Sequence, residues 1–210
     1  MQLGSESLNK LISQAAVIIK EGGVVAFPTE TYYGLAVDPF NPEALQRLFQ
    51  VKKRSFDKPI LTLIENVGQL SQLARETPAL YHPLIEEFWP GPLTLLFPAL
   101  ERLPSLLTAC TGDVGARISS HPVARALVRA CGFPVTATSA NISGYPAVCC
   151  AADIRHQLSD IDLLIPFDHL ATGRESTIMT CRNGRPLIVR PGAIPTDLIL
   201  KILATRGEGR

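Results

Sequence analysis

Apolar residues recur at Leu8, Leu11, Ile12, Ala15 and Ile19, a three-and-four spacing that predicts a helix stopped by Gly22 and Gly23. The run VVAF (24–27) follows as a predicted strand. NPEALQRLFQVKKR opens with Asn41 as a helix N-cap and Pro42 at the first helical position. ILTLI (60–64) has the length and β-branched content of a strand, and two helical stretches follow, broken at Pro78 and ending near Trp89. LTLLF (93–97) and VGARIS (114–119) are predicted strands; HPVARALVRACG is a predicted helix closed by Gly132. VTATS (135–139) is one predicted strand, ADIRHQL a short helix and DLLIP a strand. STIMTC and PLIVR flank RNGR, whose Asn-Gly pair predicts a hairpin, and TDLILKILAT closes the pattern as a helix.

This alternation predicts an α/β fold, a twisted mixed parallel and antiparallel sheet flanked by helices. No linker, repeat or low-complexity segment interrupts it, so the expectation is one domain over residues 1–210 with its core at about 8–205 and a frayed RGEGR tail. The 46% hydrophobic content suits a full core. A net charge of +1 is far from that of a protein coated in nucleic acid, so RNA contact is expected to be local. No apolar run reaches the roughly 18 residues of a membrane span, and MQLGSESLNK lacks a signal-peptide core; the expected location is the cytosol. The five cysteines form no C-x-x-C pair and are expected to be reduced thiols; the four histidines are scattered without metal-ligand spacing.

Candidate chemistry collects where apolar runs end. After VVAF comes PTETYY, which sets two threonines, a carboxylate and two tyrosines where a plain turn would use Gly, Asn or Asp. Lys52, Lys53, Arg54 and Lys58 cluster after the second helix; by themselves they also fit a basic helix end that complements the macrodipole. Arg117 and Arg190 each terminate an apolar strand, where an open α/β sheet gathers its ligand crevice. Arginines there suit a phosphate or carboxylate, gripped bidentately; ion pairs with Asp38, Asp57 or Asp113 are the structural alternative. TATSANISG (136–144) and GREST (173–177) place hydroxyls and an amide at strand ends, suited to a polar ligand or simply to turns and caps. The chain has no P-loop, no G-x-G-x-x-G after the first strand and no G-x-S-x-G. SLNK and SFDK fit S-x-x-K, but no K-T-G follows, which argues against a serine acylase.

FPTETYYGLAVDP, KKRSFDKPI, FWPGPLTLLF, GARISSHPVA, TATSANISG, STI and IVRPGA stand together in the order of the YrdC family, from about Ala15 to Ile194. The chain resembles the family's short, single-domain form. The resemblance implies a deep, positively lined cavity in which L-threonine, bicarbonate and ATP become threonylcarbamoyl-adenylate and pyrophosphate. Separate transfer proteins then use the adenylate to modify tRNA adenosine. Thr31, Arg117, Ala137 and Ser176 match threonine-contact positions, with Arg117 at the carboxylate. Lys52, Arg54, Lys58, Ser139, Asn141 and Arg190 match nucleotide contacts, and Lys52, Arg54 and Arg190 are the implied catalytic cations. Mg²⁺ is expected to ride on the ATP phosphates, since no carboxylate cluster offers it a cage. The chain departs from the family pattern at Ser55, Leu63 and Glu175, where proline, histidine and proline are usual, and it is expected to lack the C-terminal domain of the longer form. The competing readings are an RNA-binding module without catalysis and another carbamoyl or nucleotidyl transferase.

Overall fold

The computed structural model describes residues 4–167 and 173–207. Helix α1 (Ser5–Lys20) leads into β1 (Val25–Phe27), which turns back as β2 (Gly34–Ala36). Then come α2 (Pro42–Lys52), β3 (Thr62–Leu63), two 3₁₀ turns (Val67–Gln72 and Ala79–Tyr81) and α3 (His82–Phe88). The chain continues through β4 (Leu93–Pro98), α4 (Ser105–Thr108), β5 (Asp113–Arg117) and α5 (Pro122–Cys131). It closes with β6 (Val135–Thr136), β7 (Thr138–Ser139), α6 (Ala151–Gln157), β8 (Leu163–Leu164), β9 (Thr177–Arg182), β10 (Arg185–Arg190) and α7 (Thr196–Gly207). The expected frayed tail lies, from residue 208, outside the described residues.

Two mixed sheets result, ordered β7-β2-β1-β8 and β10-β9-β4-β5-β3-β6. Both sheets combine parallel pairs (β1 with β8, β3 with β5, β4 with β9) with antiparallel ones, in keeping with the mixed-sheet expectation. The predicted strand VTATS is in fact two strands, β6 in the larger sheet and β7 in the smaller. Ala137 is the link: its N–H reaches the Leu61 carbonyl at 2.8 Å, while Thr136 N–H bonds to Val37 O at 3.1 Å. The Thr136 hydroxyl also bridges Val37 N and Leu35 O. This crossover sets the Ala137–Ser139 backbone at the junction between sheets. The stretch after the 60–64 strand is the other departure: the 3₁₀ turn Val67–Gln72 stands where the first helix is predicted, and the second helix is preceded by the 3₁₀ turn Ala79–Tyr81.

Side-chain period explains the layers. On β1, Val25 and Phe27 face α1 and α5, packing with Ile12, Ile19, Leu127 and Val128, while Ala26 and the preceding Val24 face α2 with Leu45, Leu48 and Phe49. The smaller sheet is thus covered on both faces. Local signals act as read: the Asn41 carboxamide caps α2 by accepting from Glu43 N (2.9 Å) and Ala44 N (3.1 Å). Asn183 and Gly184 carry the two positive φ angles of the β9–β10 turn. Among the described residues no helix is long and apolar enough to cross a membrane.

Candidate functional site

The polar stretch after β1 is the connection of an antiparallel pair, Phe27 opposite Gly34 and Val25 opposite Ala36. Gly34 leaves room for the Phe27 ring, which a Cβ there would crowd at 3.1 Å. The Thr29 hydroxyl donates to Tyr32 O (2.7 Å), accepts from Thr31 N (3.2 Å) and lies 3.0 Å from the Thr31 hydroxyl. The loop is therefore fixed by its own side chains. Tyr33 N–H bonds to Val148 O at 3.2 Å, and the Tyr32 hydroxyl donates to Gly173 O.

This loop faces the ends of β5, β7 and β10 across a cleft of about 80 Å³. Thr31, Tyr32, Arg117, Ala137, Ser139 and Ser176 line it together with Glu175 and Arg190. Of the residues singled out for threonine, Thr31, Arg117, Ala137 and Ser176 all meet here. Of those singled out for the nucleotide, Ser139 and Arg190 line the cleft; Lys52, Arg54, Lys58 and Asn141 lie outside its lining.

Arg117 ends β5 and is buried, 5% exposed. Its guanidinium pairs through Nη1 with Glu30, and its Nη2 lies 3.4 Å from the Thr31 hydroxyl. The second Glu30 oxygen accepts from the Ser119 hydroxyl. Burial, and then repulsion from Arg190, push the Arg117 guanidinium down to about 10, so it stays charged at neutral pH. Arg190 ends β10 with Nη1 2.9 Å from the Glu175 carboxylate and Nη2 donating to Ser176 O (2.9 Å) and Oγ (3.3 Å). The Ser176 hydroxyl lies 2.9 Å from that of Thr94. Burial lowers the Arg190 pKa, partly offset by Glu175.

The Arg-Pro-Gly turn brings Arg190 to Ser176 because Gly192 has no side chain. A Cβ there would meet Glu175 O and Ser176 C at 2.5 Å, and Ala193 N–H bonds to Glu175 O at 2.8 Å. The counter-ions of Arg117 and Arg190 are thus Glu30 and Glu175, not Asp38, Asp57 or Asp113; Asp113 pairs instead with Arg182. Neither glutamate carries a sequence signal beyond its place in PTET or GREST.

Lys52 sits behind the cleft wall at 1% exposure. Its ammonium donates to Ser139 O, to Asn141 O (2.9 Å) and to Asn141 Oδ1 (3.3 Å). The Ser139 hydroxyl donates to Asn141 Oδ1 at 2.6 Å, and Ser143 N–H returns to Lys52 O at 2.8 Å. Burial first, and Arg54 second, push the ammonium down to about 7. Lys52 therefore holds the Ser-Ala-Asn loop rather than reaching into open space. Arg54 donates to Lys58 O and Pro59 O, its Nε is buried without a hydrogen-bond partner, and burial lowers its pKa. Lys58 is exposed.

The Sua5/YciO/YrdC family model, described as "Telomere recombination", matches residues 17–192. The chain belongs to this family. The threonylcarbamoyl-AMP synthase of Bacillus subtilis (strain 168) is 37% identical over 194 residues, 91% of this chain and 56% of that protein. The protein of the same name from Pyrococcus abyssi is 37% identical over 190 residues, covering 90% and 56%. The solved structure of P. abyssi Sua5 complexed with L-threonine superimposes at a TM-score of 0.89 and 36% identity, over 92% of this chain and 57% of that one. E. coli YciO shares the fold at a TM-score of 0.78 and 23% identity, over 88% and 90%. The chain spans a little over half the length of the curated Sua5-type relatives from B. subtilis and P. abyssi.

Proposed function

We propose that this chain is an L-threonylcarbamoyladenylate synthase, a nucleotidyltransferase that condenses L-threonine, bicarbonate and ATP. The observation that carries the reading is a buried guanidinium, Arg117, beside the Thr31 hydroxyl in a cleft also lined by Ser176 and Arg190. A fixed cation beside small hydroxyls is what a hydroxy-amino acid needs: the cation for its carboxylate, the hydroxyls for its side chain. The bacterial and archaeal relatives named threonylcarbamoyl-AMP synthase, and the threonine complex of one of them, point the same way.

In this reading Arg117 takes the threonine carboxylate and Thr31, Ser176 and the Ala137 wall fix the side chain. The threonine ammonium and bicarbonate give a carbamate, releasing water and a proton. A carbamate oxygen then attacks the α-phosphorus of ATP and pyrophosphate leaves. The barrier is mainly charge on charge, so positioned cations supply the catalysis and no protein nucleophile is needed. Arg190 and Arg54 take the phosphates, with Lys58 at the solvent side. Lys52 contributes by holding Ser139 and Asn141 in the shape that borders the nucleotide. The cleft donors do not fit a resident metal: both carboxylates hold arginines, and among the described residues no three His, Cys, Asp or Glu side chains come together. In this reading magnesium rides on the ATP phosphates. The product is the donor for threonylcarbamoyl modification of tRNA adenosine by separate transfer proteins.

The test is pyrophosphate release by purified protein with Mg²⁺-ATP and bicarbonate, with and without L-threonine. Threonine-dependent release is expected. Release of inorganic phosphate instead would make the protein an ATPase. No turnover, with tight salt-sensitive RNA binding, would favour a binding module.

A further inference from the structure

The two arginine–glutamate pairs of the cleft differ in kind. Glu30 and Arg117 are nearly out of solvent, with side chains 14% and 6% exposed, and Ser119 holds the second Glu30 oxygen. Glu175 and Arg190 are 47% and 35% exposed, and the Glu175 carboxylate is held by Arg190 Nη1. An exposed pair of this kind contributes little, because water and salt compete for both charges. Arg190 itself is anchored independently of Glu175: its Nη2 donates twice to Ser176. Its Nε is buried with no hydrogen-bond partner. An anion arriving at Arg190 thus meets a guanidinium already aimed by Ser176, with its Nη1 covered only by a half-exposed carboxylate.

We propose that Glu175 is a displaceable counter-ion on Arg190 that sets how tightly the cleft takes the incoming polyphosphate. It is a specificity-determining residue for the nucleotide and not for threonine, and it rests on the function proposed above. While Glu175 covers Nη1, two arginines and two glutamates leave the cleft without net positive charge. A polyphosphate replaces the carboxylate on Nη1 and gains a charge-assisted contact with a guanidinium that Ser176 already holds in place. Glu175 then turns to solvent, which its exposure permits, whereas Glu30 stays on Arg117.

The test is direct binding of Mg²⁺-ATP, by calorimetry without threonine, to the wild type and to Glu175→Gln, Arg190→Ala and the double variant. Pyrophosphate release is measured in parallel. Glu175→Gln keeps the size of the side chain at an exposed position, so folding is preserved. The variant is expected to bind about three- to ten-fold tighter at low ionic strength, a gain that shrinks as salt is raised. The gain vanishes when Arg190 is also replaced, and the threonine KM does not move. Unchanged or weaker ATP binding by Glu175→Gln in a protein that releases pyrophosphate overturns the inference and leaves the function standing. Tighter ATP binding without threonine-dependent pyrophosphate release supports the Glu175 role and overturns the proposed reaction. Absence of ATP binding in wild type and Glu175→Gln alike overturns both.

Discussion

Replacing Glu30 by Gln keeps the side chain's shape and removes its charge. Arg117 then remains buried without its counter-ion, beside a second guanidinium that already lowers its pKa. Removing one partner of a buried pair costs about 3–5 kcal/mol, because the surviving charge has lost both water and partner. Glu30 retains some solvent contact, so the lower end, about 3 kcal/mol, applies. For a chain of this size each kcal/mol moves Tm by about 2–4 °C, so a fall of roughly 6–12 °C is expected. Arg117→Met should cost a similar amount, and the Glu30→Gln/Arg117→Met double variant clearly less than the sum, with a coupling of about 2–3 kcal/mol. Glu65→Gln is the control: its pair with Arg129 is exposed on the arginine side (66%), and about 1 kcal/mol or less is expected. Thermal and urea unfolding of the four proteins of the cycle, with the control alongside, give the comparison. A Glu30→Gln loss no larger than that of Glu65→Gln would refute the claim that Arg117 depends on a fixed, desolvated carboxylate.

Three further outcomes are expected. His121 caps α5 through Nδ1 (3.2 Å from Val123 N), and burial pushes its imidazolium down to about 4. The unfolded chain takes up that proton near its ordinary value while the fold refuses it, so stability is full above about pH 6.5 and falls as pH drops toward about 4. His121→Asn keeps a capping oxygen and should lose less on acidification, by on the order of 3 kcal/mol; equal acid slopes in urea titrations would contradict this. Lys52→Met strips the donor from Ser139 O and both Asn141 oxygens and should cost about 2–4 kcal/mol. Because the folded ammonium is held near 7, the wild type should gain on this variant as pH rises from about 7 toward about 10. A stability gap that narrows with pH would sink that reading. Finally, serine in place of threonine should lower kcat/KM about 10–200-fold, and valine more, because it leaves the polar pocket unpaired. Valine outperforming serine would remove the roles given to Thr31 and Ser176.

Signals confined to neighbouring residues were legible in the sequence. Asn41-Pro42 starts α2, Asn183-Gly184 turns the hairpin, and the apolar runs before Arg117 and Arg190 put both arginines at strand ends. What depends on distant partners was not. β2 is only Gly34–Ala36, too short and too poor in β-branched residues to stand out, and it exists because β1 and β7 flank it. VTATS has the pattern of one strand and divides at Ala137 because its two halves find edges in different sheets. Lys52 has the look of a surface helix end; only the return of residues 139–143 against it makes it a buried clamp. The cleft arginines were identified from strand ends, yet their counter-ions lie on separate loops that only the folded chain brings across.

The carbon of bicarbonate reports on whether this cleft joins threonine to the nucleotide. Protein, Mg²⁺-ATP and isotopically labelled bicarbonate are incubated with L-threonine, and the products are separated under mild conditions that spare an acid-labile adenylate. The label should enter an AMP-bearing product only when threonine is present, in equal amount to the pyrophosphate released. Arg117→Met, if folded, should abolish both together. Pyrophosphate formed without label in the nucleotide, or label incorporated regardless of threonine, would contradict the assignment of this cleft to threonine, bicarbonate and ATP.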